Sequence, residues 1–189
     1  MKVLLVALFF CSNLVFSWAG NSDYEAEVSF PQQIFNFHFV APGIMRGSQP
    51  SREALKSLRD YAGIKTILSL KNSGPEEEWE EEAARDLGMV FLRIPMDASK
   101  LQPLETIDRC LEIISNKENH PVFVHCQAGK DRTGLIFAAY RIQYDSWDPE
   151  DALSEMLSYG YDRSCCFNME RSLMEWNERR TAQSLKDRS

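Results

Sequence analysis

The stretch Pro121-Val122-Phe123-Val124-His125-Cys126-Gln127-Ala128-Gly129-Lys130-Asp131-Arg132-Thr133-Gly134 decides how this chain folds. Its apolar, β-branched opening reads as a short buried strand. Behind it, Leu135, Ile136, Phe137, Ala138, Ala139 and Tyr140 read as a buried helix. A nucleophile, a Gly-containing loop, an Arg and a hydroxyl therefore sit between a strand end and a helix start. Such a junction suits an anion, because the first amides of a helix lack partners and carry the positive end of its dipole. The bare Cys-x5-Arg spacing is weak, and Cys165 with Arg171 repeats it. That second copy lacks a preceding strand, a preceding His and any Gly in its loop. The stretch is not a Walker A loop either, since Lys130 is followed by Asp131 rather than Ser or Thr.

Upstream, Asn36–Val40 alternates Phe37 and Phe39 with polar residues, a strand signal, and Ile44–Gly47 follows the turn Pro42-Gly43 as a second strand. Arg46 inside it reads as half of a structural ion pair. Ser51 is a helix N-cap, with Ala54, Leu55, Leu58 and Tyr61 on the apolar face and Gly63 at the end. Lys65–Leu70 is a further strand. Lys71 follows its carboxyl end, the ligand edge of open α/β sheets, and reads as either a substrate contact or a solvated lysine. Pro75–Leu87 is an acid-rich helix with Trp79, Ala83 and Leu87 as its buried stripe, and Met89–Ile94 is the next strand. Pro95–Leu101 is a loop. A helix from Pro103 to about Asn119 points Ile107, Cys110, Leu111 and Ile114 inward, which makes Cys110 inert core. Asp148-Pro149 starts a helix with Ala152, Met156 and Tyr159 along one face, and Asn168–Arg180 is a last helix with Met169, Leu173 and Trp176 inside. From Thr181 the tail is polar and expected to fray. Strands alternating with helices predict an α/β fold, a central and mostly parallel sheet flanked by helices.

With 189 residues the chain makes one domain over residues 35–180, and its net charge of −7 opposes a general nucleic-acid role. Met1–Ala19 reads as a signal peptide, with Lys2, an apolar run and the small residues Ser17 and Ala19 before the cleavage point. Residues 20–34 are a polar lead-in. Export to a periplasm or the outside follows, with no stable membrane insertion after cleavage. An uncleaved anchor is the competing reading. Cys165 and Cys166 are adjacent, an awkward geometry for a mutual bridge, and no Cys/His spacing suggests a metal.

His-Cys-x2-Gly-x2-Arg-Thr-Gly resembles the signature of the cysteine-dependent tyrosine and dual-specificity phosphatases, and the Gly-Lys-Asp-Arg-Thr-Gly spelling is similar to their compact bacterial members. The likeness extends to Pro42–Pro50, Gly63–Leu70 and Ile94–Asp97. It implies a dual-specificity-phosphatase-like fold, no cofactor, and substrates that are phosphoproteins, phosphorylated small molecules or inositol-phosphate lipid headgroups.

The chemistry of the residues agrees. Cys126 is the nucleophile, its thiol acidified by a helix start and a nearby cation. Arg132 offers a planar fork to two phosphoryl oxygens. Thr133 donates its hydroxyl to the departing sulfur. His125 orients the loop, matching its part in the family that the chain resembles. Gly129 lets the loop turn so that amides point inward. Gln127, Ala128, Gly129, Lys130, Asp131 and Arg132 then line the substrate, with Lys130 adding charge at the mouth. The general acid must sit on a separate movable loop, and Asp97 is the candidate, with Asp131 as rival. A phosphomonoesterase working through a phosphocysteine is the expected activity. Lys130, with Lys71 or Arg46, would favour polyanions such as inositol polyphosphates. Arsenate reduction recruiting Cys165 and Cys166, and a non-catalytic phosphate-binding module, are the alternatives.

Overall fold

Strand β5, Val122–Cys126, lies in the middle of the molecule, and every one of its residues is buried. A computed structural model describes residues 34–72 and 74–187. The predicted signal peptide and most of the lead-in lie outside these described residues. β5 is flanked by β2 (Ile44–Ser48) and β3 (Thr66–Ser69), both parallel to it. β1 (His38–Ala41) pairs antiparallel with β2, and β4 (Val90–Arg93) pairs parallel with β3. The sheet order is β1-β2-β5-β3-β4. The continuous apolar run of β5 follows from this position, since a strand covered on both faces has no solvent side to pattern.

Successive side chains of β5 leave the sheet on opposite faces. Val122 and Val124 join a cluster with Ile107, Cys110, Leu135, Met156 and Trp176, while Phe123 joins one with Met45, Leu55, Leu58 and Ile67. The first face is covered by α3 (Leu104–Ser115), α4 (Asp131–Tyr144), α5 (Pro149–Ser158) and α7 (Asn168–Lys186). The second is covered by α1 (Arg52–Asp60) and α2 (Pro75–Asp86). A single turn, α6 (Arg163–Cys166), precedes α7.

The predicted stripe of α3 is buried as read, and burial pushes the Cys110 thiol up to about 12, which fits inert core. Ser51 caps α1, its hydroxyl accepting from Ala54 N at 3.2 Å. Four local readings need correction. Tyr61 is exposed, because α1 ends at Asp60 and the ring falls outside the packed stripe. The tail from Thr181 continues α7 to Lys186, supported by i,i+4 hydrogen bonds such as Gln183 to Asp187. Asp148 precedes α5 in extended backbone, but its carboxylate makes no cap bond. Cys165 and Cys166 are joined by a disulfide. The short turn of α6 puts both sulfurs on one side, within 4.8 Å of the Asp131 carboxylate.

Candidate active site

Cys126 ends β5, 2% exposed, and the chain then turns through residues 127–130 into the first residues of α4. The strand end and helix start thus meet where the sequence put them. Gly129 makes the turn possible in two ways. Its φ is +68°, and a Cβ there would stand 2.6 Å from the backbone of Gly47 on the neighbouring strand. Its carbonyl is held from two sides, by Asn36 Nδ2 at 3.1 Å and Arg46 Nη2 at 2.8 Å. Gln127 is exposed and its carbonyl accepts from Gln49 N at 3.2 Å. Ala128 is half-buried beside it.

Arg132 leads back across the sheet edge. Its Nη1 donates to Met96 O at 3.3 Å and lies 3.5 Å from Leu70 O, which ties the ends of β3 and β4 to the loop. Arg132 Nε and the Thr133 hydroxyl are buried with no hydrogen-bond partner among the described residues. Both are donors beside the sulfur-bearing turn, and a buried donor left unpaired is costly. A phosphoryl group is the kind of ligand that would accept from them. Lys130 stands half-buried at the mouth, its ammonium 5.4 Å from the Phe35 ring centre.

Among the described residues Arg46 makes no close ion pair. It is 1% exposed, bonded to the Gly129 carbonyl and stacked 4.4 Å from Tyr159 and 5.3 Å from Phe137. Burial pushes its guanidinium down to about 10, offset in part by the negative charges of Glu155, Tyr159 and Cys126. A buried cation therefore lies within electrostatic reach of Cys126. Arg46→Met should cost about 10- to 100-fold in kcat/KM, as the loop carbonyl loses a donor and the sulfur a cation. Its melting temperature should change little, since removing the guanidinium also removes the cost of burying it. Steady-state kinetics and a thermal melt check both halves.

Lys71 is buried, 6% exposed, and its ammonium donates to Gln49 Oε1 at 2.5 Å. The solvated reading is thus wrong, since the side chain is enclosed beside Gln49. Asp97 follows β4 in the loop that Arg132 grips through Met96. Its carboxylate accepts from Ser99 N at 3.0 Å and Ser99 Oγ at 2.7 Å, with Lys100 Nζ at 3.3 Å. The Ser99 hydroxyl first, then its amide and Lys100, hold Asp97 below the usual carboxylate range. Asp131 opens α4 and accepts from Asp162 N at 3.2 Å, facing α6.

One residue was missed altogether. Glu80, counted in the sequence only as one of the acids of α2, is 0% exposed, and its Oε1 lies 2.8 Å from His125 Nε2. The buried stripe of α2 is Glu80, Ala83 and Ala84, with Trp79 and Leu87 at its margins. His125 is also 0% exposed, and its Nδ1 faces the Cys126 carbonyl at 3.1 Å. The only sequence signal for Glu80 was its place one position off an apolar stripe.

Comparison with known proteins adds to this geometry. The model of the tyrosine phosphatase family matches residues 32–184. The dual specificity protein phosphatase TpbA of Pseudomonas aeruginosa is 27% identical over 126 residues, 67% of this chain and 55% of that protein. The chain thus spans little more than half of TpbA. The human phosphatidylglycerophosphatase and protein-tyrosine phosphatase 1 is 24% identical over 164 residues, 80% of this chain and 78% of that one. Among solved structures, the core catalytic domain of the PP-IP phosphatase SIW14 from S. cerevisiae superposes with a TM-score of 0.66 at 23% identity. That match covers 81% of this chain and 94% of that domain, and it shows a shared fold.

Proposed function

The chain belongs to the tyrosine phosphatase family, and on that premise we propose that it hydrolyses phosphomonoesters through a phosphocysteine at Cys126. The observation that carries this reading is the buried Cys126 at a strand end, beside the unpaired donors of Arg132 and Thr133 and within electrostatic reach of the cation of Arg46. The thiolate attacks phosphorus; the S–P bond forms as the ester P–O bond breaks, and the leaving oxygen takes a proton from Asp97. The Asp97 carboxylate then removes a proton from water, which attacks phosphorus. The S–P bond breaks, with Thr133 donating to the leaving sulfur, and inorganic phosphate departs. Arg132 and the loop amides hold the three equatorial oxygens throughout.

The substrate class follows from which cations reach the mouth. Two that would have favoured an inositol polyphosphate, Lys71 and Arg46, are buried. What remains is Lys130 against the exposed Phe35 ring, a rim that suits one phosphate on an aromatic or headgroup carrier. A phosphoprotein side chain is therefore the first substrate class, in keeping with the name of TpbA, a dual specificity protein phosphatase. Inositol-based headgroups come second, supported by the sequence likeness to the inositol diphosphatase SIW14. Arsenate reduction loses support, because Cys165 and Cys166 are bonded to each other and offer no resolving thiol in that state. The leader Met1–Ala19 supports an exported enzyme, periplasmic or secreted, and the mass of the mature N-terminus tests it.

Phosphate release from 4-nitrophenyl phosphate, phosphotyrosine peptides and inositol phosphates, with EDTA present, tests the reading. Turnover of phosphopeptides above inositol phosphates is expected. Turnover of none, with phosphate still bound, would overturn it.

Asp97 gives a separate test. Asp97→Asn should lower kcat by about 100-fold for an ester with a poor leaving group and far less for 4-nitrophenyl phosphate, whose leaving oxygen needs little protonation. An acid must be protonated to act, so its pKa sets the upper pH limit of kcat. Ser99→Ala removes the largest cause of the depression, raises that pKa and should move the basic limb to higher pH. A pH profile of kcat reads the shift.

A further inference from the structure

We infer that Glu80 is a positioning residue for the reaction, a buried carboxylate that holds His125 as imidazolium and through it sustains the Cys126 thiolate. The inference rests on the phosphatase reading and deepens it. Both ring nitrogens of His125 face oxygens, Nδ1 the Cys126 carbonyl at 3.1 Å and Nε2 the Glu80 carboxylate at 2.8 Å. A carbonyl cannot donate, so Nδ1 carries a proton. Glu80 Oε2 also accepts from Gln49 Nε2 at 2.9 Å, and Gln49 Oε1 accepts from the Lys71 ammonium at 2.5 Å. Donation from one side and a cation behind favour the ionised carboxylate, and although its Oε1 and the ring Nε2 are not aligned as a hydrogen bond, a buried negative charge 2.8 Å from the imidazole favours the doubly protonated ring.

The arrangement reaches the loop twice. His125 grips the Cys126 carbonyl, and Gln49 N donates to the Gln127 carbonyl at 3.2 Å. The charged and titratable groups about the loop include Glu80 from α2, Lys71 after β3, Arg46 from β2, Lys130, Asp131 and Arg132 at the start of α4, and Glu155 and Tyr159 from α5 and its end, which face Arg46. The Phe123 ring lies over His125 at 5.8 Å and keeps water from that side. His125 adjoins Cys126 in the chain, whereas Glu80 stands beyond the far edge of the imidazole. Coulomb energy falls with distance, so the nearer positive charge outweighs the carboxylate at the sulfur.

Glu80→Gln separates charge from shape. A glutamine keeps an oxygen for Gln49 and places an N–H beside a neutral His125 Nε2, so the shape is kept and the charge is not. The nearer positive charge is lost. The full chain is alkylated with iodoacetamide across pH 4–9, and the Cys126 peptide is followed by mass spectrometry. Glu80→Gln should raise the alkylation midpoint by about one pH unit, a roughly tenfold loss of thiolate at pH below it. The acidic limb of kcat/KM should move with it. An unchanged midpoint in folded Glu80→Gln would overturn the inference. A wild-type midpoint near that of a free thiol, about 8.5, would instead overturn the phosphatase reading. If the variant does not fold, nitrogen chemical shifts of wild-type His125 decide: two protonated ring nitrogens at pH 7 support the inference, and one overturns it.

Discussion

Cys126→Ser should lower phosphate release by on the order of 10⁴-fold or more, while inorganic phosphate still binds. The two halves have different physical origins. Release depends on a sulfur anion that attacks and later leaves, and a serine hydroxyl is un-ionised near neutrality with no base beside it. Binding depends on Arg132, the start of α4 and the loop amides, which the substitution leaves in place. The burial of Cys126 at the end of β5 means that a side chain of nearly the same size refits without rearrangement. Residual turnover is best measured on a long-incubated, mass-verified sample, with phosphate affinity from calorimetry. Turnover within tenfold of wild type would remove Cys126 from the chemistry.

Gly129→Ala should be almost as damaging, by about 10²- to 10³-fold in kcat/KM, although residue 129 has no side chain to contribute. The added methyl would lie 2.6 Å from Gly47 C and O and 2.8 Å from Ser48 N, all backbone atoms of β2 with nowhere to go. The loop must retreat, and with it the amides and the carbonyl that Arg46 and Asn36 hold. Gly63→Ala is the control. Its φ is +63°, so it bears the same left-handed strain of about 1 kcal/mol, yet nothing lies within 4 Å of the new methyl. It should lower the melting temperature slightly and leave kinetics alone. If both variants lost activity equally, strain in general would be at fault rather than crowding at the loop.

The local features were legible in the sequence. The strand, loop and helix around Cys126 are contiguous, so their order in the chain is their order in space. The stripes of α3 and α7 repeat at helical spacing and face one layer. What escaped were residues whose surroundings come from distant segments. Lys71 reads as a substrate contact or a solvated lysine and Arg46 as half of an ion pair, and only the pairing of β2, β5 and β3 shows them enclosed. Glu80 sits among acids that dipole arguments explain well enough, and its partner lies 45 positions further on in β5. Asp97 stands in the loop where it was read, but the chain alone did not show that Ser99 and Lys100 hold its carboxyl below the usual range.

The two-sided hold on the Gly129 carbonyl has a consequence for how the domain begins. Asn36, one of the two donors, also binds the Tyr159 carbonyl at 2.8 Å, while Phe35 O accepts from Ser48 N at 2.8 Å and Ile34 is buried. The first described residues are thus fastened to the floor of the phosphate cradle and to the end of α5 together. Trimming the polypeptide to start after Asn36 would release a rivet from the reaction chamber rather than shorten a leash. Whatever the preceding segment is attached to, tension on it would be felt first at the turn that cups the phosphate.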